Sequence, residues 1–286
     1  MILNLLFLAA TLSFDSGQPD LAFITGEAHG RVGVAAVLDG RMVELRAGEA
    51  FPMQSVYKFP IAMAVLHEAD TGALRLDQAV TVRKSELVPA SLHSPIRDQN
   101  PQGDFALPLR DLLRYAVSES DGTASDVLLR VVGGPAKVQK YLGSLGIKEI
   151  RVVNTEAEMA RDDQAQYGNF ATPRGAIAVL QALQAGRGLS PASRQFLLEL
   201  MTNTSTGPNR LRGLLPAGTK VAHKTGTSNT TNGMTAATND IGLITLPGGK
   251  TLAIAVFVSD SPADTAVREA VIAQVARAAF VWAVAQ

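Results

Sequence analysis

Ser55 and Lys58 stand three residues apart in the stretch FPMQSVYKFPIAMAV, residues 51–65. A serine hydroxyl is a weak nucleophile until a neighbouring base removes its proton. A lysine can be that base when burial lowers its pKa. The apolar run 59–66 that follows predicts a buried helix with both residues in its first turn, on one face. Such a start also offers free N–H groups and the positive end of a helix dipole to an anion forming beside Ser55. Pro60 fits a first turn and not a helix middle. The pattern is short, and a serine at a helix start also serves simply as a cap.

Three further groups have residue types suited to the same chemistry. Ser120-Asp121-Gly122 falls at a predicted helix boundary, where a hydroxyl could relay a proton between a lysine and a leaving amine. The same residues also read as a cap before a helix over 123–132, and Ser-Asp recurs at 125–126 and 259–260. Glu156 lies in the polar segment NTEAEMARDDQ. Facing Ser55, it could activate a water to hydrolyse an acyl intermediate; otherwise it is a solvated loop acid. Glu158, Asp162 and Asp163 follow, but no histidine lies nearby, and the run does not suggest the converging oxygens of a hard-cation site. The third group is His223-Lys224-Thr225-Gly226-Thr227-Ser228, at the end of a predicted strand. An ammonium with two hydroxyls suits a substrate carboxylate, and Gly226 would let a ligand lie close along the strand edge.

The elements that must position these groups follow from the hydrophobic pattern. A first helix over 19–30 has Leu21, Ile24 and Phe23 inward. Residues 31–38 and 41–46 form a hairpin about Asp39-Gly40, a strong turn signal. The Ser55 helix continues to Gly72. Residues 87–102 hold three prolines and read as a surface loop. Helices are predicted over 108–118, 124–132, 136–145, 173–185 and 191–202, and residues 154–169 show no clean period. Strands return over 219–224, 240–246 and 251–258. A long alanine-rich helix closes the chain at 263–285, with Val267, Val271, Val275 and Phe280 on one side. Strands at both ends and helices between them predict an α+β fold: one antiparallel α/β sandwich sheet from both termini, flanked by helices, with an inserted all-helical block.

Composition narrows the function classes. The chain has 286 residues, 47% hydrophobic and 18% charged, ample for a sizeable core. Lysine plus arginine and aspartate plus glutamate both number 26, so no basic surface suggests nucleic acid. Cysteine is absent, which excludes disulfides, thiolate catalysis and cysteine metal sites. Residues 2–14 are almost wholly apolar, too short to span a bilayer comfortably, and read as the core of a secretory signal without its positive flank. A leader over 1–17 and export to the periplasm or medium are expected. The alternative is a buried N-terminal helix.

Ser-x-x-Lys and Lys-Thr-Gly each occur once, in helix-start and strand contexts, with Ser-Asp between them. The set resembles the class A serine β-lactamases, over essentially the whole chain after the leader. The resemblance implies a β-lactamase/transpeptidase-like catalytic domain over 18–286, with residues 18–53 and 212–286 as its α/β part and 54–211 as its mainly helical part. It implies that Ser55 opens the β-lactam ring, that Lys58 takes part in activating it, and that Ser120 passes a proton to the lactam nitrogen. Lys224, Thr225, Gly226 and Thr227 line the carboxylate site, and the Ser55 and Thr227 N–H groups form the oxyanion hole. Glu156 activates the deacylating water. Whether Lys58 or Glu156 is the acylation base stays open. Arg210 matches a carboxylate-binding arginine, with Arg212 as alternative, and His93 falls where members often place an aromatic at the entrance. The implied ligands are penicillins and cephalosporins, acting on a monomer with no cofactor, metal, nucleic acid or membrane span after leader removal.

Two positions depart from the family pattern. Gly122 replaces the asparagine of Ser-Asp-Asn, removing an amide that would contact the substrate side chain. Ala160 stands where an asparagine commonly helps hold the water. Glu158 is the rival of Glu156, which is preferred because Met159 then falls at an apolar family position. The run 159–169 and Thr227-Ser228 resemble the branch with an altered active-site loop and broad cephalosporin activity. The competing expectations are a penicillin-binding peptidase or a β-lactam sensor, each acylated without efficient deacylation.

Overall fold

The computed structural model describes residues 18–286; the leader expected over 1–17 lies outside them. Five antiparallel strands form the main sheet, in the order Arg41–Leu45, Arg31–Leu38, Thr251–Ser259, Thr238–Thr245, Val221–Thr227. The two ends of the chain meet where Arg31–Leu38 pairs with Thr251–Ser259. The Asp39-Gly40 turn closes the first hairpin with both residues at positive φ, 49° and 80°, as a two-residue turn between right-twisted strands requires.

Successive strand residues face opposite sides of the sheet, and here both sides are buried. Leu252, Ile254, Val256 and Val258 join one core with the helices Leu21–Thr25 and Thr265–Val284. Ala253, Ala255 and Phe257 join the other, formed with the helical block. This explains why the central strand reads as a continuous apolar run rather than an alternation. At the centre of the helical block runs Lys58–Asp70, whose residues from Lys58 to Leu66 are all buried.

Several expectations change in detail. Ser55 lies in a 3₁₀ turn, Gln54–Tyr57, and the α-helix begins at Lys58. Pro60 is that helix's third residue, where no intrahelical donor is lost. The first helix is short, and Phe23 is 70% exposed, because Leu21 and Ile24 share the inner face and Phe23 points away from it. Val267 is likewise partly exposed, while Val271, Val275 and Phe280 are buried. The stretch read as a plain loop contains the helix Pro95–Gln99, started by a Ser94 cap and a proline at its first position. A small ladder between Ala79–Val82 and Phe105–Pro108 was not apparent from periodicity. The edge strand runs on through Thr227, so the Lys-Thr-Gly residues lie within it and not at its end.

Candidate active site

Ser55 is fixed by backbone packing. Gln54, just before it, is held at φ 46°, and the turn presses against the edge strand. A Cβ on Gly226 would fall 2.3 Å from Met53 O and 3.2 Å from Ser55 N. Gly226 is therefore needed for this strand-to-turn contact, a different use from the ligand approach expected of it. Asn239 completes the clamp by donating from Nδ2 to Pro52 O at 2.8 Å and Met53 O at 3.1 Å.

Lys58 is the junction of the site and is 2% exposed. Its Nζ donates to Ser55 Oγ at 2.8 Å and Ser120 O at 2.7 Å, and lies 2.9 Å from Glu156 Oε1. Three sequence-predicted groups thus converge on one nitrogen. Ser120 sits between two lysines, because Lys224 Nζ donates to Ser120 Oγ at 2.8 Å. Its φ of 59° is a strained backbone for a serine. Lys224 is fully buried, and that burial, with the Lys58 charge next, holds its amine well below the usual lysine range. Asp121 caps the helix Gly122–Val132 through Ala124 N at 2.8 Å and accepts from Ile96 N at 2.7 Å. It anchors the Ser120 corner and is fully buried.

Glu156 begins the helical turn Glu156–Met159 and is 5% exposed. Glu158 lies on the other side of this turn. Its carboxylate accepts from Thr155 N at 2.8 Å while Thr155 Oγ1 accepts from Glu158 N at 3.1 Å, a reciprocal capping box. Of the two rivals, only Glu156 meets Lys58. Its backbone is held by Asp126, which accepts from Glu156 N at 2.7 Å and Ala157 N at 2.9 Å. Burial, then the Glu156 charge, push the Asp126 carboxyl up to about 7. Asn169 pins both ends of the loop: Oδ1 accepts from Val153 N and Asn154 N at 2.8 and 2.9 Å, and Nδ2 donates to Asn154 O at 2.8 Å.

The far side of the cleft carries the residues expected to bind a carboxylate. Thr225 Oγ1 lies 2.5 Å from Thr206 Oγ1. Arg210 is 4% exposed and nearly saturated. It donates to Glu269 at 3.0 Å, Gly226 O at 3.2 Å, Asn239 O at 2.9 Å and Thr227 Oγ1 at 2.7 Å. Arg210 therefore orients the Thr227 hydroxyl. Arg212 is not brought to the site; it donates to Thr202 O and Val221 O. His93 lines the entrance, its Nε2 2.9 Å from Glu119 O. His223 points away and pairs with buried Asp240 at 2.8 Å. The cleft holds about 550 Å³, with Ser55, Lys58, Ser120, Glu156, Thr225 and Thr227 on its walls.

Gly122 lies against this cleft. A Cβ there would be 3.3 Å from His93 O and 3.6 Å from Glu156 Cγ, so an asparagine side chain would run beside the acid. Ala160 lines the cleft and offers no polar atom. Sequence reasoning missed Asp126 and Asn169. Asp126 is four residues after Gly122, on the same helix face, and belongs to a Ser-Asp pair that looks incidental. Nothing in the polar run around Asn169 marks it.

The cleft thus joins a serine, two lysines and one buried acid. The chain belongs to the beta-lactamase enzyme family, whose profile matches residues 20–283. Within it, the chain is a class A serine enzyme, a β-lactamase. It is 48% identical to the extended-spectrum beta-lactamase PER-1 of Pseudomonas aeruginosa, over 81% of this chain and 75% of that protein. It is 38% identical to beta-lactamase VEB-1 of Pseudomonas aeruginosa, over 97% of this chain and 95% of the relative. The solved structure of TLA-1 extended-spectrum beta-lactamase superposes with a TM-score of 0.91 at 42% identity, covering 94% of this chain and 99% of that one.

Proposed function

We propose that Ser55 attacks the β-lactam carbonyl, that the ring C–N bond breaks, and that water driven by Glu156 releases the acyl group. The observation that carries this is the single Lys58 nitrogen within 2.8 Å of Ser55 Oγ and 2.9 Å of Glu156 Oε1. In acylation the Ser55 proton leaves through Lys58 or, by way of water, Glu156. The Ser55 and Thr227 N–H groups stabilise the oxyanion. Ser120, hydrogen-bonded to Lys224, delivers a proton to the departing nitrogen. In deacylation Glu156 takes a proton from water as the hydroxyl attacks the ester, and Ser55 recovers its own.

Lys224, Thr225 and Thr227 hold the substrate carboxylate, with Arg210 setting the Thr227 hydroxyl and His93 flanking the entrance. Penicillins and cephalosporins are the substrates, and the extended-spectrum names of two relatives support bulky cephalosporins among them. The protein acts exported, as a monomer, without cofactor or metal. Residues 18–53 and 212–286 form the α/β part of one catalytic domain, and 54–211 its helical part.

A peptidase or sensor that only acylates needs no second acid, and Glu156 against Lys58 favours hydrolysis. Glu156→Gln is expected to accumulate a covalent acyl-enzyme, seen as a mass increase in the intact protein. Turnover of penicillin by Glu156→Gln at the parent rate would remove Glu156 from the mechanism.

A further inference from the structure

The side of the cleft around Lys224 has few donors to spare. Arg210 is paired with Glu269 at 3.0 Å and also donates to Gly226 O, Asn239 O and Thr227 Oγ1. An ammonium has three protons, and Lys224 Nζ commits two of them, to Ser120 Oγ at 2.8 Å and Thr225 O at 3.0 Å. Strand hydroxyls must therefore supply most of the bonds to an anion there. Each hydroxyl has a single proton to give, so the direction of that proton matters. Thr206 lines the cleft, and its Oγ1 lies 2.5 Å from Thr225 Oγ1. The segment around this contact is fastened on both sides. Thr204 Oγ1 donates to His223 O at 2.8 Å, and Ser205 N donates to Ser118 O at 2.9 Å. Gly207 follows at φ 61°, and a Cβ on it would fall 2.7 Å from Thr225 Cγ2 and 3.0 Å from Arg210 Cδ. The backbone thus lies directly against the Thr225 methyl group and limits the rotation of that side chain.

We propose that Thr206 is a positioning residue for the substrate carboxylate: its hydroxyl donates to Thr225 Oγ1, which leaves the Thr225 proton for the carboxylate. This rests on the reading that Lys224, Thr225 and Thr227 bind that group. Two hydroxyl oxygens 2.5 Å apart cannot both give their protons to a third group, because their lone pairs would then face each other with no proton between them. One must donate to the other. Thr225 shares the edge strand with Lys224 and Thr227, so it is the one that meets the anion, and Thr206 stands behind it. A donor on a hydroxyl oxygen also polarises that hydroxyl and strengthens the bond it makes in turn. Arg210 serves Thr227 in the same way, donating to its Oγ1 at 2.7 Å. The segment from Thr206 to Arg210 thereby sets both strand hydroxyls.

Thr206→Val keeps the side-chain shape and removes the hydroxyl, while Thr206→Ser keeps the hydroxyl. Acylation is measured by rapid quench and intact mass with benzylpenicillin and with its methyl ester, which carries no carboxylate charge. Thr206→Val is expected to lower acylation efficiency about tenfold with benzylpenicillin and no more than about twofold with the ester, the loss of one hydrogen bond to a charged group. Deacylation is expected to be unchanged. Thr206→Ser is expected to stay within about threefold of the parent, since the donor remains. Thr225→Val is expected to show the same carboxylate-selective loss, and adding Thr206→Val to it to change little further, because Thr206 acts through Thr225. Acylation of benzylpenicillin by Thr206→Val at the parent rate would overturn the proposal. So would equal loss with acid and ester, which marks a packing defect, or a Thr206→Ser variant as slow as Thr206→Val. If Thr225→Val shows no carboxylate-selective loss, the underlying reading fails; if it does and Thr206→Val does not, only the Thr206 role fails.

Discussion

The two halves of the site are built differently. The Ser55 corner is held chiefly by backbone, a left-handed Gln54 and a glycine that admits the strand, with one side chain, Asn239, across the join. The Glu156 loop is held by individual side chains: Asp126 under its first turn and Asn169 across its ends. Backbone packing resists change collectively, because strand, turn and helix must all move together. Side-chain clamps can be removed one at a time. The position of Ser55 is accordingly a property of the fold, while that of Glu156 depends on a few buried polar groups.

The largest effect expected from breaking this contrast is on the first half. Gly226→Ala places a methyl 2.3 Å from Met53 O, and backbone cannot yield there cheaply. Acylation is expected to fall at least a hundredfold, about 3 kcal/mol in barrier, in stopped-flow experiments with a chromogenic cephalosporin. An alanine variant acylating normally would show that the Ser55 turn is not held as described.

Asn169→Ala acts on the other half. It leaves three loop hydrogen bonds unmade, at roughly 1 kcal/mol each. Deacylation is expected to slow about tenfold or more with acylation largely preserved, measured as burst amplitude against steady-state rate. Equal loss in both steps would mean that the loop also shapes the Ser55 side.

Asp126 gives a smaller, pH-dependent effect. Its folded pKa of about 7 stands above the ordinary 3.8. Between these values the folded state keeps a proton that the unfolded state has released. Its contribution to stability is therefore fully present below about 3.8 and is lost as pH rises to about 7. Asp126→Asn is expected to flatten this part of the stability profile in chemical denaturation. It also turns an amide N–H₂ towards one of the two loop N–H groups, costing about 1–2 kcal/mol.

The smallest effect concerns the outer rim. Thr231 Oγ1 donates to Asp163 Oδ2 at 3.1 Å, joining the loop to the Thr230–Thr235 turn across the exposed mouth of the cleft. Thr231→Val is expected to change KM for a bulky cephalosporin by no more than about threefold, leaving kcat unchanged, in line with one exposed hydrogen bond of under about 1 kcal/mol.

The same contrast explains what could be learned from sequence. The Ser55 corner was legible because its requirements are written locally: a serine and lysine one turn apart, a buried apolar run, a strand with Lys-Thr-Gly. The sheet from both termini was legible for the same reason, through apolar runs and the Asp39-Gly40 turn. Asp126 and Asn169 were not, since their partners are backbone groups distant in sequence, 30 residues away in the case of Asp126 and Glu156. Arg210 was found by its position, but its saturation by Glu269, Gly226, Asn239 and Thr227 depends on how three segments meet.

The most direct measurement of the central claim is the number of products formed per enzyme when the purified protein is mixed with a chromogenic cephalosporin. A working Glu156 beside Lys58, despite Ala160, predicts many turnovers per enzyme, with the acyl-enzyme a transient species. A single stoichiometric burst followed by a stable adduct would contradict the account, because Ser55 would then be acylated at a site where Glu156 does not drive water.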